Sequence, residues 1–240
     1  FHGVFSLFTF SLQKHQTKSD RQSTHNFCTE TLKLDIFISS FNSTISRALD
    51  YRPRPSENDA LFNKAISAEN EKHKDPESIR QELQQYESRL ISFRKTVHEN
   101  PEVGFNTRGT LARIKSILEQ FGISGLDTET SPGSGFLLIE GNRPGATVAL
   151  RADIDALPIE EKPDANGNAH SCGHDGHQTW LIAAIIYLVK HRDFPGRILC
   201  IFQADEENVA GAQSVIDSGV FQKYGVKEIY GAHNEPSLDV

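Results

Sequence analysis

The stretch HSCGHDGHQTW, His170 to Trp180, crowds thiol, imidazole and carboxylate side chains into one short run. These are the commonest protein ligands for a transition metal, and the C-x-H spacing lets Cys172 and His174 reach one ion from an extended loop. Three more polar runs follow apolar, strand-like segments. RADIDALP offers Asp153 and Asp155, QADEEN offers Asp205, Glu206 and Glu207, and GAHNEP offers His233. In open α/β sheets ligands bind beyond the carboxyl ends of the strands, which is where each of these runs falls. Sulfur, nitrogen and oxygen donors together suit zinc or another borderline transition metal better than magnesium or calcium. Adjacent glutamates can divide the labour of a hydrolytic centre, one binding metal and the other staying free as the base for water. No compact Cys₄ or Cys₂His₂ pattern is present, which favours a catalytic ion over a structural one.

Each residue alone has a plainer reading. A lone cysteine is most often a small buried hydrophobe, and Cys200, inside the apolar run RILCIF, keeps that reading. Paired acids are favoured in the first turn of a helix, and aspartates close turns. The convergence of four separate segments on one rim is what reverses the odds.

The elements that must position these residues are legible from periodicity. Asp75 and Pro76 read as cap and first residue of a helix, with Ile79, Leu83, Tyr86, Leu90, Phe93 and Val97 on one face and Pro101 as its end. A second helix spans about 107–121, with Gly122 as its stop. GFLLIEG and ATVALRA read as strands flanking NRPG, a turn. A helix through TWLIAAIIYLVKH, a strand at RILCIFQ, a helix at GAQSVIDSG and a strand at KEIYGAH follow. Alternating strands and helices predict an α/β layered domain with a mainly parallel central sheet flanked by helices. Residues 1–75 lack sustained periodicity, with YRPRPSEND as linker, and are expected to form an irregular or disordered extension; residues 76–240 hold the ordered domain.

Composition narrows the function classes. Of the 240 residues 37% are hydrophobic, enough for a core, and a net charge of −7 without a Lys/Arg block argues against nucleic acid as a partner. No apolar run approaches bilayer-spanning length, so no membrane partner is expected. Three scattered cysteines, Cys28, Cys172 and Cys200, do not make a disulfide framework. The chain has no methionine, and FHGVFSLFTFSLQ at its start lacks preceding basic residues. It reads as a non-native extension or the tail of a clipped signal peptide, with a cytoplasmic location favoured over a secreted one. Asn42 is a glycosylation acceptor only in the secreted case.

FRKTVHENPEVGF, VALRADIDALPIEE, HSCGHDGHQTW, FQADEENVAGAQSVI and GAHNEP occur in an order and spacing that resembles the M20 metallopeptidase clan. The likeness is to its amidohydrolase branch of auxin-conjugate, hippurate and N-acyl-amino-acid hydrolases, and covers about residues 77–240. The resemblance implies a zinc-peptidase-like catalytic domain with two divalent transition metal ions (manganese, zinc or cobalt). It implies Cys172, His174, Glu207 and His233 as metal ligands, Glu206 as general base and Asp155 as the residue that orients a metal ligand. His177 belongs to the same motif and is expected behind the ligands. The implied substrates are small N-acyl amino acids or dipeptides, and the implied assembly is a homodimer through a lid domain. That lid and a final histidine ligand would follow Val240, so the sequence given is expected to be a fragment with a site one ligand short.

Departures from the family pattern concern the glutamate loop. Ala204 and Asp205 stand where Pro-Ala is usual, and Asn208 and Val209 replace glycines. Asp205 brings a third acid that either raises the pKa of Glu206 or points away. Two rival readings remain open: a catalytically inactive metal-binding relative, and a metal-stabilised structural or interaction domain.

Overall fold

The helical face of residues 79–97 folds as two helices rather than one. In the computed structural model, which describes residues 6–10, 76–159 and 167–234, α1 spans Pro76–Gln84 and α2 Glu87–His98. The break has a local cause. The Gln85 side-chain amide donates to the Glu82 carbonyl at 2.7 Å, the acceptor that the Tyr86 N–H uses in an unbroken helix. Tyr86 N–H turns back to Leu83 O at 2.9 Å, and its ring meets Phe121 edge-on at 5.1 Å. Ile79, Leu83, Leu90, Phe93 and Val97 are nevertheless all buried along one face.

Helix α3, Arg108–Gln120, has no side-chain cap from Thr107. The Glu102 carboxylate takes that role, accepting the N–H groups of Gly109 at 3.0 Å and Thr110 at 2.5 Å. Beyond α3 come β2 (Gly135–Glu140), β3 (Arg143–Asp153), α4 (His174–Lys190), β4 (Pro195–Gln203), α5 (Gly211–Asp217), α6 (Val220–Tyr224) and β5 (Val226–Asn234). A strand at Ser6–Phe10, β1, was not anticipated from the sequence. The sheet order is β1-β5-β3-β4-β2, parallel throughout except that β2 runs antiparallel to β4 at one edge.

This is the α/β layered fold with a mainly parallel sheet that the alternation of elements predicts. Its details differ from the sequence reading in two ways. Arg143 and Pro144 belong to β3 itself, and β2 and β3 do not pair, because β4 lies between them. Helix α4 starts at His174, so His174 and His177 stand on its first turn and only Cys172 lies in a loop. Helix α6 had no sequence signal strong enough to separate it from the GAQSVIDSG helix.

Period-two alternation on β4 divides the core. Ile198, Cys200 and Phe202 pack toward α1–α4, while Leu199 and Ile201 pack toward α5 and α6. Cys200 is core, as expected, and burial pushes its thiol pKa up and away from thiolate chemistry. Helix α4 is apolar around its circumference from Leu181 to Leu188 and is buried in the larger cluster. No helix among the described residues is long and apolar enough to cross a membrane. Cys28, Asn42, the 51–59 linker, the Asp75 cap and the closing PSLDV lie outside the described residues, as does all of the expected extension 1–75 except β1.

Leu118 of α3 is 1% exposed in this core. Truncating it (Leu118→Ala) is expected to cost about 2–5 kcal/mol of unfolding free energy, from lost burial and the cavity left behind. Urea titration of parent and variant measures the loss; a change below about 1 kcal/mol would contradict this placement of α3.

Candidate metal centre

Three adjacent parallel strands end on one rim, and each delivers part of the cluster. Asp153 is the last residue of β3 and Asp155 lies just beyond it, Glu206 and Glu207 follow β4, and His233 sits near the end of β5. The rim is completed by Cys172 in the loop ahead of α4 and by His174 and His177 on its first turn. The turn after β4 is held by Gly211 and Val209: Gly211 N–H donates to Asp205 O at 2.9 Å, and Val209 N–H to Glu206 O at 2.9 Å. A Cβ at Gly211 would lie 1.7 Å from the Ala204 carbonyl, so only glycine lets α5 begin this close to the strand end.

His174 is the hub. Its Nδ1–H donates to the backbone carbonyl of Asp155 at 2.8 Å, which leaves Nε2 as the ring nitrogen that faces the cluster. Around that nitrogen lie His233 Nε2 at 3.4 Å, Glu207 Oε1 at 3.5 Å, Glu206 Oε2 at 3.6 Å and Asp153 Oδ2 at 3.9 Å. Cys172 Sγ is 3.4 Å from His233 Nε2. Donor atoms of Cys172, His174 and Glu207 lie within 4.8 Å of one another, as do those of Asp153, His174, His177 and His233.

The electrostatics call for positive charge. Burial opposes a charge on His174, yet the contact with Asp155 and the neighbouring Cys172 and Asp153 raise its pKa to about 11. Two oxygens near this ring, Asp155 Oδ1 and Glu207 Oε1, are buried without a hydrogen-bond partner. Leaving such acceptors unpaired costs about 1–3 kcal/mol each, a penalty that a coordinated cation removes. A thiol, imidazoles and carboxylates around these orphaned oxygens fit a divalent transition metal.

Asp153 is compensated by the protein itself. It accepts from Arg151 Nη1 at 2.7 Å and contacts His177 Nδ1 at 2.5 Å, while Arg151 Nε donates to Gln203 Oε1 at 3.0 Å. Burial raises its carboxyl pKa, but His177 and Arg151 outweigh burial and hold it well below the usual carboxylate range. For Cys172 a contact with His174 favours thiolate, but burial and the charge of Glu207 leave the thiol pKa raised. His170, at the start of the motif, is 4% exposed, and burial brings its pKa down to about 4, so its ring is neutral near pH 7.

The structure therefore brings together Cys172, His174, Glu207 and His233, with Glu206 beside them. Asp155 sits behind, its carbonyl on His174 and its Oδ2 accepting the Glu207 N–H at 3.2 Å. Asp205 turns away: its Oδ1 accepts Asn208 Nδ2 at 2.6 Å. Sequence reasoning gave Asp153 no role, although it lies among the imidazoles, and the available signal was the D-x-D spacing at a strand end. His177 was expected behind the ligands; its Nδ1 is on Asp153, and its ring stands 4.7 Å from that of His233.

Residues 149–240, which contain every member of this cluster, match the profile of Peptidase family M20/M25/M40. The N-acetylcysteine deacetylase of Bacillus subtilis is 38% identical over 162 residues, covering 65% of this chain and 42% of that protein. The hippurate hydrolase of Campylobacter jejuni is 34% identical over 161 residues, with the same coverage of 65% and 42%. Among solved structures, the Bacillus subtilis YXEP protein, described as a dinuclear metal binding peptidase from the M20 family, superposes with a TM-score of 0.60 at 38% identity. It covers 65% of this chain and 45% of its own. A putative aminohydrolase from methicillin-resistant Staphylococcus aureus also gives a TM-score of 0.60, at 30% identity over 66% of this chain and 44% of its own. The chain thus spans 42% of the length of these two curated relatives. Profile, relatives and fold agree with the motifs that converge on the cluster: over these residues the chain is similar to peptidase family M20/M25/M40.

Proposed function

We propose that the whole protein is a metal-dependent amidohydrolase acting on small N-acyl or N-aminoacyl amino acids. The observation that carries this reading is the meeting of Cys172, His174 and Glu207 donors within 4.8 Å while Glu206 Oε2 stands 3.6 Å from the same imidazole. Relatives named for N-acetylcysteine, hippurate and IAA-amino acids support the substrate class, since each name implies an amide between an acyl group and an amino acid.

Cys172, His174, Glu207 and His233 would hold two divalent ions, manganese, zinc or cobalt. Bound there, such ions supply Lewis acidity, which lowers the pKa of water toward neutrality and draws electron density from an amide carbonyl. The chain's own groups do the rest. Asp155 fixes His174 and the backbone of Glu207, so that both keep one orientation. The Glu206 side chain is 34% exposed against 17% for Glu207, which leaves it open to solvent and substrate. Its carboxylate accepts a proton from the attacking water and delivers it to the leaving amine. The homodimer through a lid domain belongs to this same reading of the whole protein.

Two measurements test it. Calorimetric titration of the full-length protein with Zn²⁺ or Mn²⁺ is expected to show binding that weakens at least tenfold in Cys172→Ser and in Glu207→Gln; unchanged affinity in both would remove these residues from the metal site. Glu206→Gln is expected to bind metal like the parent and to lose about 10²–10⁴-fold in kcat on N-acetyl amino acids or hippurate. Full turnover in that variant would sink the base assignment, and no turnover by the metal-loaded parent would favour the inactive relative.

A further inference from the structure

Segment 94–104 supplies no member of the metal cluster, yet it touches the first turn of α4, the loop after β3 and the turn after β4, each of which does. From α2, His98 Nδ1 hydrogen-bonds Asp175 Oδ2 at 3.1 Å, and Arg94 Nε lies 3.0 Å from the same oxygen as an ion pair without hydrogen-bond geometry. Asp175 is 1% exposed and directly follows His174 on the first turn of α4. Further along, the Glu102 carbonyl accepts the Ala156 N–H at 2.7 Å, one residue from Asp155. At Gly104, φ +60°, a Cβ would lie 2.9 Å from Asp205 Oδ1 and 3.5 Å from Asn208 Nδ2, so this backbone abuts the glutamate turn. The segment is itself anchored by the Glu102 carboxylate on the start of α3.

A buried carboxylate with a guanidinium and an imidazole is an expensive way to pack two helices, since apolar side chains of similar volume do it as well or better. What the ionic arrangement adds is direction. It fixes the rotation of the first turn of α4 about its axis, which apolar contacts leave looser, and that rotation sets where His174 Nε2 points. We propose that Arg94 and His98 are positioning residues for the metal centre, acting through Asp175 to hold His174 in register with Cys172, Glu207 and His233. This inference rests on the reading of the cluster as a metal site.

The test is calorimetric titration of the full-length protein with Zn²⁺ and with Mn²⁺, alongside circular dichroism and urea unfolding. Arg94→Gln is expected to stay folded and to lose about 10- to 100-fold in metal affinity, the usual effect of removing a group that orients a ligand. Arg94→Lys, which keeps the charge, is expected to recover part of that loss. His98→Gln, which keeps a donor, is the milder probe should Arg94→Gln fail to fold, and is expected to weaken binding severalfold. Leu118→Ala is the control for general softening, destabilised but with parental metal affinity. Unchanged affinity in folded Arg94→Gln or His98→Gln, or an equal loss in Leu118→Ala, would overturn the inference and leave the metal reading standing. Failure of the parent itself to bind either ion would overturn the metal reading instead.

Discussion

A carboxylate withdrawn from water needs its counter-charge from the protein or from something the protein holds, and three of the four buried aspartates around one rim meet that need differently. Asp153 takes Arg151 and His177, and Asp175 takes Arg94 and His98. Asp155 has only the Glu207 N–H on one oxygen and a 3.5 Å approach to His174 on the other. The first two have a counter-charge from the chain itself. The third, behind the cluster, is left with Oδ1 incomplete, together with Glu207 Oε1. The division separates groups that hold the architecture from groups open to an ion.

The sheet makes this division possible. Parallel strands β5, β3 and β4 are neighbours, so their ends bring residues remote in sequence onto one line. Helix α4, buried along most of its length, seats its first turn against those ends. The imidazole most central to the cluster is therefore carried by a well-packed element. The glutamates are carried by a tight turn with two non-glycine residues at positive φ, Asp205 and Val209. Val209 is a β-branched residue in that region and is 88% exposed, an arrangement that costs free energy and has no compensating burial.

Much of this was legible in the sequence because it rests on local pattern. Polar runs after apolar strand-like runs placed Asp155, Glu207 and His233 at one rim, and the ligand chemistry of the 170–180 stretch drew Cys172 and His174 to them. The cluster geometry now brings these residues together. What escaped depended on tertiary choice. The role of Asp153 depends on an arginine two residues earlier on the same strand and on a histidine from a distant helix, and the second pairing leaves no trace in spacing. The break between α1 and α2 turns on one glutamine side chain taking a backbone acceptor. The placement of β4 between β2 and β3 is a long-range pairing that no turn signal specifies.

The neighbouring positions of β5, β3 and β4 also fix a length scale. Parallel strands stand about 4.8 Å apart because main-chain hydrogen bonds allow little else. Groups borne by adjacent strand ends inherit that interval as their coarse separation, whatever their side chains. The backbone ladder thus works as a ruler, and fine adjustment to ionic radius falls to rotamers, to the turn after β4 and to the loop bearing Cys172. In a lineage built on this sheet, a change of preferred metal would be written in those short connecting segments, with the strands themselves unaltered.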